Sequence, residues 1–440
     1  MLSAESPDWW LAKRLRVALI LAALAVLAYL PAQGLPFISD DYPHIHLARQ
    51  YGPISGWPEL ASDLLYRSRA TSLVLSYWTE RAFGLSPLAF HLSSLALHVL
   101  NVWLILLLGA WPRIGWKCSA AAAAFFAVHE GHQEAVIWYA AVHEEIHLVF
   151  ALVCLHLWVR WLSARGAWLY VASICAYILA LLSKESAVAV GPLLALVALI
   201  ERAGWRRTAW AVMPFAVLAG LYFGAIYAGR ATHGHFNDIG TFSLQAPFWV
   251  TWRNSMGRLF WIWGWLGVLP LAFWRSKART ALAFLGAAWA GITLLPYCFL
   301  TYMPRVPSRH TYFASVGLAL AVAAAFRAFW ERFQTRPWMG WTLAAVIILH
   351  NCVYLWTRKQ SQFMALAAPT EQLVIFASQV EGPVYVHCFP YGFEAAERAV
   401  ELRLGKQAYL MGPARPLSEI KDRTNVFCWT PREHWDRASD

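Results

Sequence analysis

The chain has 440 residues, 59% of them hydrophobic and only 14% charged, with a mean hydropathy of +0.45 and a formal net charge of +11. A soluble domain is nearer a quarter charged and has no core able to hide this much apolar surface, so the composition excludes an ordinary water-soluble protein. The positive charge lies in short clusters between apolar runs, a pattern that needs no nucleic acid partner and makes the lipid bilayer the main solvent.

In chain order the apolar runs fall at 15–31, 87–110, 118–130, 145–162, 167–183, 186–201, 208–228, 255–273, 280–300, 311–328 and 338–356. Most approach the roughly 20 residues a helix needs to cross a bilayer, which predicts an all-α polytopic protein of about 11 transmembrane helices. The run at 118–130 is short, and the weakly apolar stretch 71–83 reads either as a crossing or as a helix on the surface. Basic clusters recur at every second loop: Lys13, Arg14 and Arg16; Arg113 and Lys117; Arg160 and Arg165; Arg202, Arg206 and Arg207; Arg275, Lys277 and Arg279; Arg327, Arg332 and Arg336. The positive-inside rule makes these loops cytoplasmic, with the N-terminus inside and the C-terminus outside. The 26 Trp and 17 Tyr suit the two bilayer interfaces. The first run follows basic residues as a signal peptide does, but "YLPAQGLPF" offers no small-x-small cleavage site and further spans follow.

Beyond about residue 358 the sequence becomes charged and mixed, with short apolar runs at 383–388, 407–411 and 425–429 and a helical segment near 393–404. The expected organisation is a membrane domain at 1–357, with its first outer loop at 32–86, followed by a small extramembrane α/β tail at 358–440. Cys388 and Cys428 both fall in that tail and can pair if it faces an oxidising compartment.

Function is sought among polar residues that a membrane makes expensive. The first outer loop opens with "FISDDYPHIHLARQYG", where Asp40 and Asp41 are candidates for a general base or a metal site, or for a solvated turn that caps a helix. The stretch between the third and fourth runs carries His129, Glu130, His132, Glu134, His143, Glu144, Glu145 and His147. His143, Glu144 and His147 satisfy HExxH, in which two histidines one helical turn apart hold zinc and the glutamate activates water. Basic residues also stand on the outer side, where they should be rare: Arg67, Arg69, Lys184, Arg305 and Arg309. They suggest a bound anion, or side chains snorkelling at helix ends.

Four blocks in order resemble the GT-C class of polytopic glycosyltransferases, in the branch holding protein O-mannosyltransferase-like enzymes and transmembrane-and-TPR proteins. They are "SDDY", "YRSRATSLVLSYWTERAFGLSPLAFHLSSLALHVLN", "FAVHEGHQEAVIW" and "LLSKESA"; a fainter fifth is "PSRHTYFASVGLALA". Together they cover roughly residues 35 to 320, and no TPR array follows. The resemblance implies a membrane enzyme that moves a sugar, a mannose-like hexose being one candidate, from a polyprenyl-phosphate donor to a hydroxyl of a protein, lipid or glycan, with inversion. It implies Asp40 as base with Asp41 beside it, Glu145 as the second acid, and Lys184, Arg305 and Arg309 on the donor phosphate. His129, His132, Glu134, His143 and Glu144 would position the acceptor or a divalent cation, the one cofactor considered. The active site would face outward from a bacterial inner or plasma membrane. Two departures bear on the donor: Glu130 stands where the family has proline, and Ala141, Val142 and His143 replace its usual Gly-Arg. The competing readings are a transporter or flippase without chemistry, and a zinc metalloprotease built on 143–147.

Overall fold

The computed structural model describes residues 7–63, 66–228, 243–274, 276–300, 306–410 and 425–429. Helix α1 (Pro7–Tyr29) leads into a first loop that carries α2 (Asp41–Tyr51), α3 (Trp57–Ser62) and α4 (Ala70–Phe83). Then come α5 (Pro87–Leu107), α6 (Trp116–Val128), the short α7 (Gln133–Ile137), α8 (Val142–Ala164), α9 (Ala167–Leu181), α10 (Val190–Ile200) and α11 (Trp205–Ala228). The bundle closes with α12 (Phe248–Phe273), α13 (Lys277–Leu294), α14 (Ser315–Arg332) and α15 (Pro337–Tyr354). Every apolar run expected to span falls on one of these helices: α1, α5, α6, and α8 through α15. Among the described residues, six stretches are long and apolar enough to cross a membrane, and three shorter apolar helices join them. The protein is a multi-pass integral membrane protein. The ambiguous stretch 71–83 is α4, a 14-residue helix that packs on α2 at the bundle's end.

Small residues set the tightest packing. Helix α14 lies enclosed among α6, α12 and α13, and its residues from Ser315 to Ala325 are all buried. Gly317 faces Gly286 of α13 so closely that a Cβ on Gly317 would stand 2.2 Å from the Gly286 carbonyl oxygen. Lipid tails are as apolar as Leu, so helices in a bilayer gain most by this close backbone approach.

The last helix continues past the boundary expected at 358. A π-turn at Leu355–Lys359 joins α15 to α16 (Gln360–Gln379). Phe363, Ala367, Thr370, Leu373, Val374 and Ala377 make a buried stripe at helical spacing, so the mixed sequence that looked like the start of a new unit continues as helix. The α/β unit itself comprises β1 (Val384–Cys388), α17 (Phe393–Leu404), β2 (Ala408–Leu410) and β3 (Val426–Cys428), on the segments the sequence indicates. Its strands are parallel in the order β2-β1-β3. A disulfide joins Cys388 of β1 to Cys428 of β3, with Cα atoms 4.6 Å apart. Helix α17 seats Ala399 and Leu402 against Phe37, Tyr42 and Ile45 of the first loop and Val374 of α16, so the tail and the first loop share one end of the bundle.

The Gly286–Gly317 contact is testable. Gly317→Leu should overpack the α13–α14 seam and lower stability by about 1–3 kcal/mol, whereas Gly224→Leu, with open space around it on α11, should leave the thermal midpoint in detergent unchanged. Equal midpoints for the two variants would remove this seam as a determinant of the fold.

Candidate active site at the loop end of the bundle

The paired aspartates are split by the turn that holds them. Ser39 adopts φ +34°, in the left-handed region that non-glycine residues seldom occupy. Past it, the chain enters α2 with Asp40 exposed and Asp41 fully buried. Asp41 accepts the Ile38 amide at 2.8 Å on one oxygen and the Ala140 amide at 2.7 Å on the other. Both of its oxygens are therefore committed to the main chain. Burial pushes the Asp41 carboxyl up to about 8, against the pull of the two amides. Asp40 accepts the Ser39 hydroxyl at 3.1 Å and otherwise presents its carboxylate outward. Across from it stands Tyr391 of the tail, whose hydroxyl donates to the Leu366 carbonyl at 2.8 Å. Burial and then the charge of Asp40 push that phenol up to about 12.

The histidine-glutamate stretch faces several directions. His129 sits 3.1 Å from Glu130, and its carbonyl accepts the Tyr29 hydroxyl at 2.8 Å. His132 is buried at 2.6 Å from the Ser315 hydroxyl, with its ring against Phe126 and Tyr312; burial lowers its pKa well below the usual range, so it is neutral. Glu134 accepts from the Arg309 amide at 3.2 Å and its guanidinium at 3.4 Å, and that guanidinium lies 5.0 Å over the Trp138 ring. Glu145, expected as the second acid, is fully buried; one oxygen accepts the Ser94 hydroxyl and the other has no partner.

Glu144 is the centre of a buried ion cluster. It accepts from Lys184 Nζ, from His310 Nδ1 at 2.8 Å and from the Tyr297 hydroxyl at 3.1 Å. Lys184 is 2% exposed, and its burial pulls the ammonium down to about 8 while Glu144 holds it charged. Three donors thus occupy the glutamate that an HExxH protease would use to activate water. Among the described residues no three His, Cys, Asp or Glu side chains converge as a metal-binding set, so His143 and His147 gain no third ligand. Sequence reasoning missed His310 and Tyr297; His310 stands beside Arg309 in the faint fifth block, and only the fold brings it to Glu144.

The first loop also clasps the hairpin between α9 and α10. Thr71 Oγ1 donates to the Ser183 hydroxyl at 2.8 Å, and Arg69 pairs with Glu185 at 3.2 Å. Asp40 and Asp41, the 129–147 stretch and Lys184 are therefore tied to one end of the bundle through the Asp41–Ala140, Glu144–Lys184 and Arg69–Glu185 contacts. Arg305 and Arg275 lie outside the described residues.

No known sequence family matches the chain, and no curated protein does. Solved structures do. The archaeal oligosaccharyltransferase AglB from Archaeoglobus fulgidus, in complex with an inhibitory peptide and a dolichol-phosphate, superposes with a TM-score of 0.54 at 11% identity over 91% of this chain. The chain spans 64% of the length of that protein. An Archaeoglobus fulgidus oligosaccharyltransferase in complex with Zn and sulfate gives a TM-score of 0.51 at 14% identity over 91% of this chain and 62% of its own. ArnT from Cupriavidus metallidurans, bound to undecaprenyl phosphate, gives 0.50 at 14% identity over 93% of this chain and 87% of its own. The chain has the fold of these membrane proteins, which is the GT-C fold.

Two outcomes follow from the site's geometry. Glu144→Gln leaves the Lys184 charge buried without its partner and should cost about 3–5 kcal/mol. Adding Lys184→Met should restore most of that loss; a double variant no more stable than Glu144→Gln in detergent melts would show that the pair is not coupled. Asp41 carries a raised folded pKa, so its stabilisation is complete below the ordinary value of 3.8 and is lost as pH rises through about 8. The parent's margin in thermal midpoint over Asp41→Asn should be widest near pH 5 and shrink as pH rises through about 8.

Proposed function

We propose that the protein is a membrane glycosyltransferase that moves a sugar from a polyprenyl-phosphate carrier to an acceptor hydroxyl, with Asp40 as the base. The observation that carries this reading is the division of labour between neighbouring aspartates. Asp41 anchors the loop, and the bond network leaves Asp40 as the open carboxylate at the end of the bundle where the cations gather. Two proteins of the same fold supply the carrier chemistry, one complexed with a dolichol-phosphate and one with undecaprenyl phosphate.

The proposed step is a single displacement. The acceptor oxygen attacks the anomeric carbon from the face opposite the phosphate, its proton passes to an Asp40 oxygen, and the carbon–oxygen bond to phosphate breaks with its electron pair leaving on the phosphate. A hydroxyl is a poor nucleophile until a carboxylate takes its proton as the bond forms. Growing charge on the phosphate is stabilised by fixed cations where water is scarce. Lys184 and Arg309 provide that field, each held in place by a carboxylate. His129, Glu134 and His143 line the acceptor side in this reading, and the configuration at the sugar inverts. The disulfide in the tail and the basic loops at the far end of the bundle support an extracytoplasmic site.

The test uses the full chain in membranes with a panel of polyprenyl-phosphate hexoses, mannose among them, and reads release of polyprenyl phosphate. Asp40→Asn should lower turnover by about 10²–10⁴-fold while expression and thermal midpoint stay at parental values. An Asp40→Asn protein that turns over donor at the parental rate would dismiss Asp40 as the base.

A further inference from the structure

One turn into α2, His44 places a second hydrogen-bond acceptor on the face that carries Asp40. The His44 amide donates to the Asp40 carbonyl at 3.1 Å, so the two residues stand one helical turn apart, with Cβ atoms about 6 Å from each other. The neighbours of His44 fix which imidazole nitrogen carries the proton. Ser76 of α4 has one hydroxyl proton, and it goes to the Ser72 carbonyl at 2.8 Å, a group that can only accept. The Ser76 oxygen therefore accepts twice, from His44 Nε2–H at 2.9 Å and from the Tyr139 hydroxyl at 2.8 Å. With the proton on Nε2, the lone pair lies on His44 Nδ1, which has no partner among the described residues, on a ring that is half-buried. Burial, and then the charge of Arg69, pulls the imidazole down to about 4, so His44 is neutral at ordinary pH.

Asp40 and His44 Nδ1 are thus two open acceptors on one helix face, and an aromatic group flanks them. Tyr391 stands beside Asp40, its hydroxyl already bonded to the Leu366 carbonyl and its ring 5.7 Å from that of Phe389. A serine or threonine side chain brings one hydroxyl, which Asp40 takes, and leaves Nδ1 unmet. A sugar brings hydroxyls on adjacent carbons, close enough for two acceptors one turn apart to take one each, and a C–H face that packs on an aromatic ring.

We propose that the substrate receiving the transferred sugar is itself a glycan, gripped by two neighbouring hydroxyls. One attacks the anomeric carbon and gives its proton to Asp40; the other keeps its proton and donates a hydrogen bond to His44 Nδ1, with Tyr391 against the ring. Ser76 acts through His44 as a positioning residue, since it holds the tautomer. The assignment rests on the transferase reading and selects among the protein, lipid and glycan hydroxyls that the reading leaves open.

The test uses the full chain in lipid nanodiscs with the polyprenyl-phosphate hexose it turns over fastest, and reads release of polyprenyl phosphate. Methyl mannoside, methyl glucoside, their monodeoxy analogues and a threonine peptide serve as receiving substrates. The parent should favour a glycoside over the peptide by about tenfold or more in kcat/KM, and removing one hydroxyl beside the attacking one should abolish that preference. His44→Phe should shrink the preference about tenfold, and Ser76→Ala should shrink it in the same direction. His44→Asn keeps an acceptor near the Nδ1 position and should recover part of it, which loss of folding would not allow. A parent that prefers the peptide to every glycoside overturns the glycan assignment, and a His44→Phe protein with the parental preference overturns the role of His44. Release no faster with any receiving substrate than with water overturns the transferase reading, and this assignment with it. Asp40→Asn keeps the two failures apart, because it should suppress release with every substrate whereas His44→Phe should change the choice among them.

Discussion

The loop end of this bundle depends on one buried carboxylate. Asp41 takes an amide from its own turn and another from Ala140, 99 residues away. Two short bonds to main-chain donors in a dry setting are worth more than the same bonds in water, because leaving either amide unmet there would incur its full desolvation cost. The bridge sets where α2 begins, and so where Asp40 points. It also fixes the residues just before α8, whose first turn delivers Glu144 to Lys184 and places Glu145 against Ser94. Without it the first loop would still cover the bundle, but the two acidic segments would share no common register.

The ion cluster around Glu144 adds a second constraint of another kind. A buried pair contributes little net stability against an apolar replacement, yet losing one partner is severe. Lys184 comes from the α9–α10 hairpin, and Tyr297 and His310 from the two ends of the connection between α13 and α14, yet all three converge on a single carboxylate. The cluster is therefore better understood as a register device than as a source of stability: it pins the α9–α10 hairpin and the segment before α14 at one height. The stacking of Tyr297 on His310, with ring centroids 4.5 Å apart, serves the same end.

How much of this could be read in the sequence follows from the range of the forces involved. The helices were legible because hydropathy is summed over some twenty residues and no local exception outweighs it; even the short α6 and the tail's strands stand on their expected segments. The end of the membrane domain was less so, since α16 sets an apolar stripe beside a face that mixes Gln, Ser and Glu371 with exposed apolar side chains, and carries Pro369 inside the helix. At the site, the residue types were visible but not their directions. Nothing local distinguishes Asp40 from Asp41; a positive φ at Ser39 and an amide 99 residues away make the difference. HExxH at 143–147 is a true helical spacing, but Glu144 is taken by groups 40 and 166 positions distant, which no local pattern encodes. Tyr391 gave no signal at all, because its place beside Asp40 depends on the docking of α17 against α2.

That docking bears on how the proposed site would meet a lipid-linked donor and a polar acceptor. The tail reaches the bundle through an apolar seam, where Ala399 and Leu402 meet Phe37, Tyr42 and Ile45, reinforced by the Tyr42 hydroxyl donating to Glu371 at 3.2 Å. A seam of this kind holds the Tyr391 side of the tail beside Asp40, while elsewhere in the bundle α11 is only 6% buried. Under the proposed transferase reading, a carrier with a long apolar chain would approach from the bilayer around the helices and a polar acceptor from the side of the tail, so solvent would separate the two before any side chain selects between them.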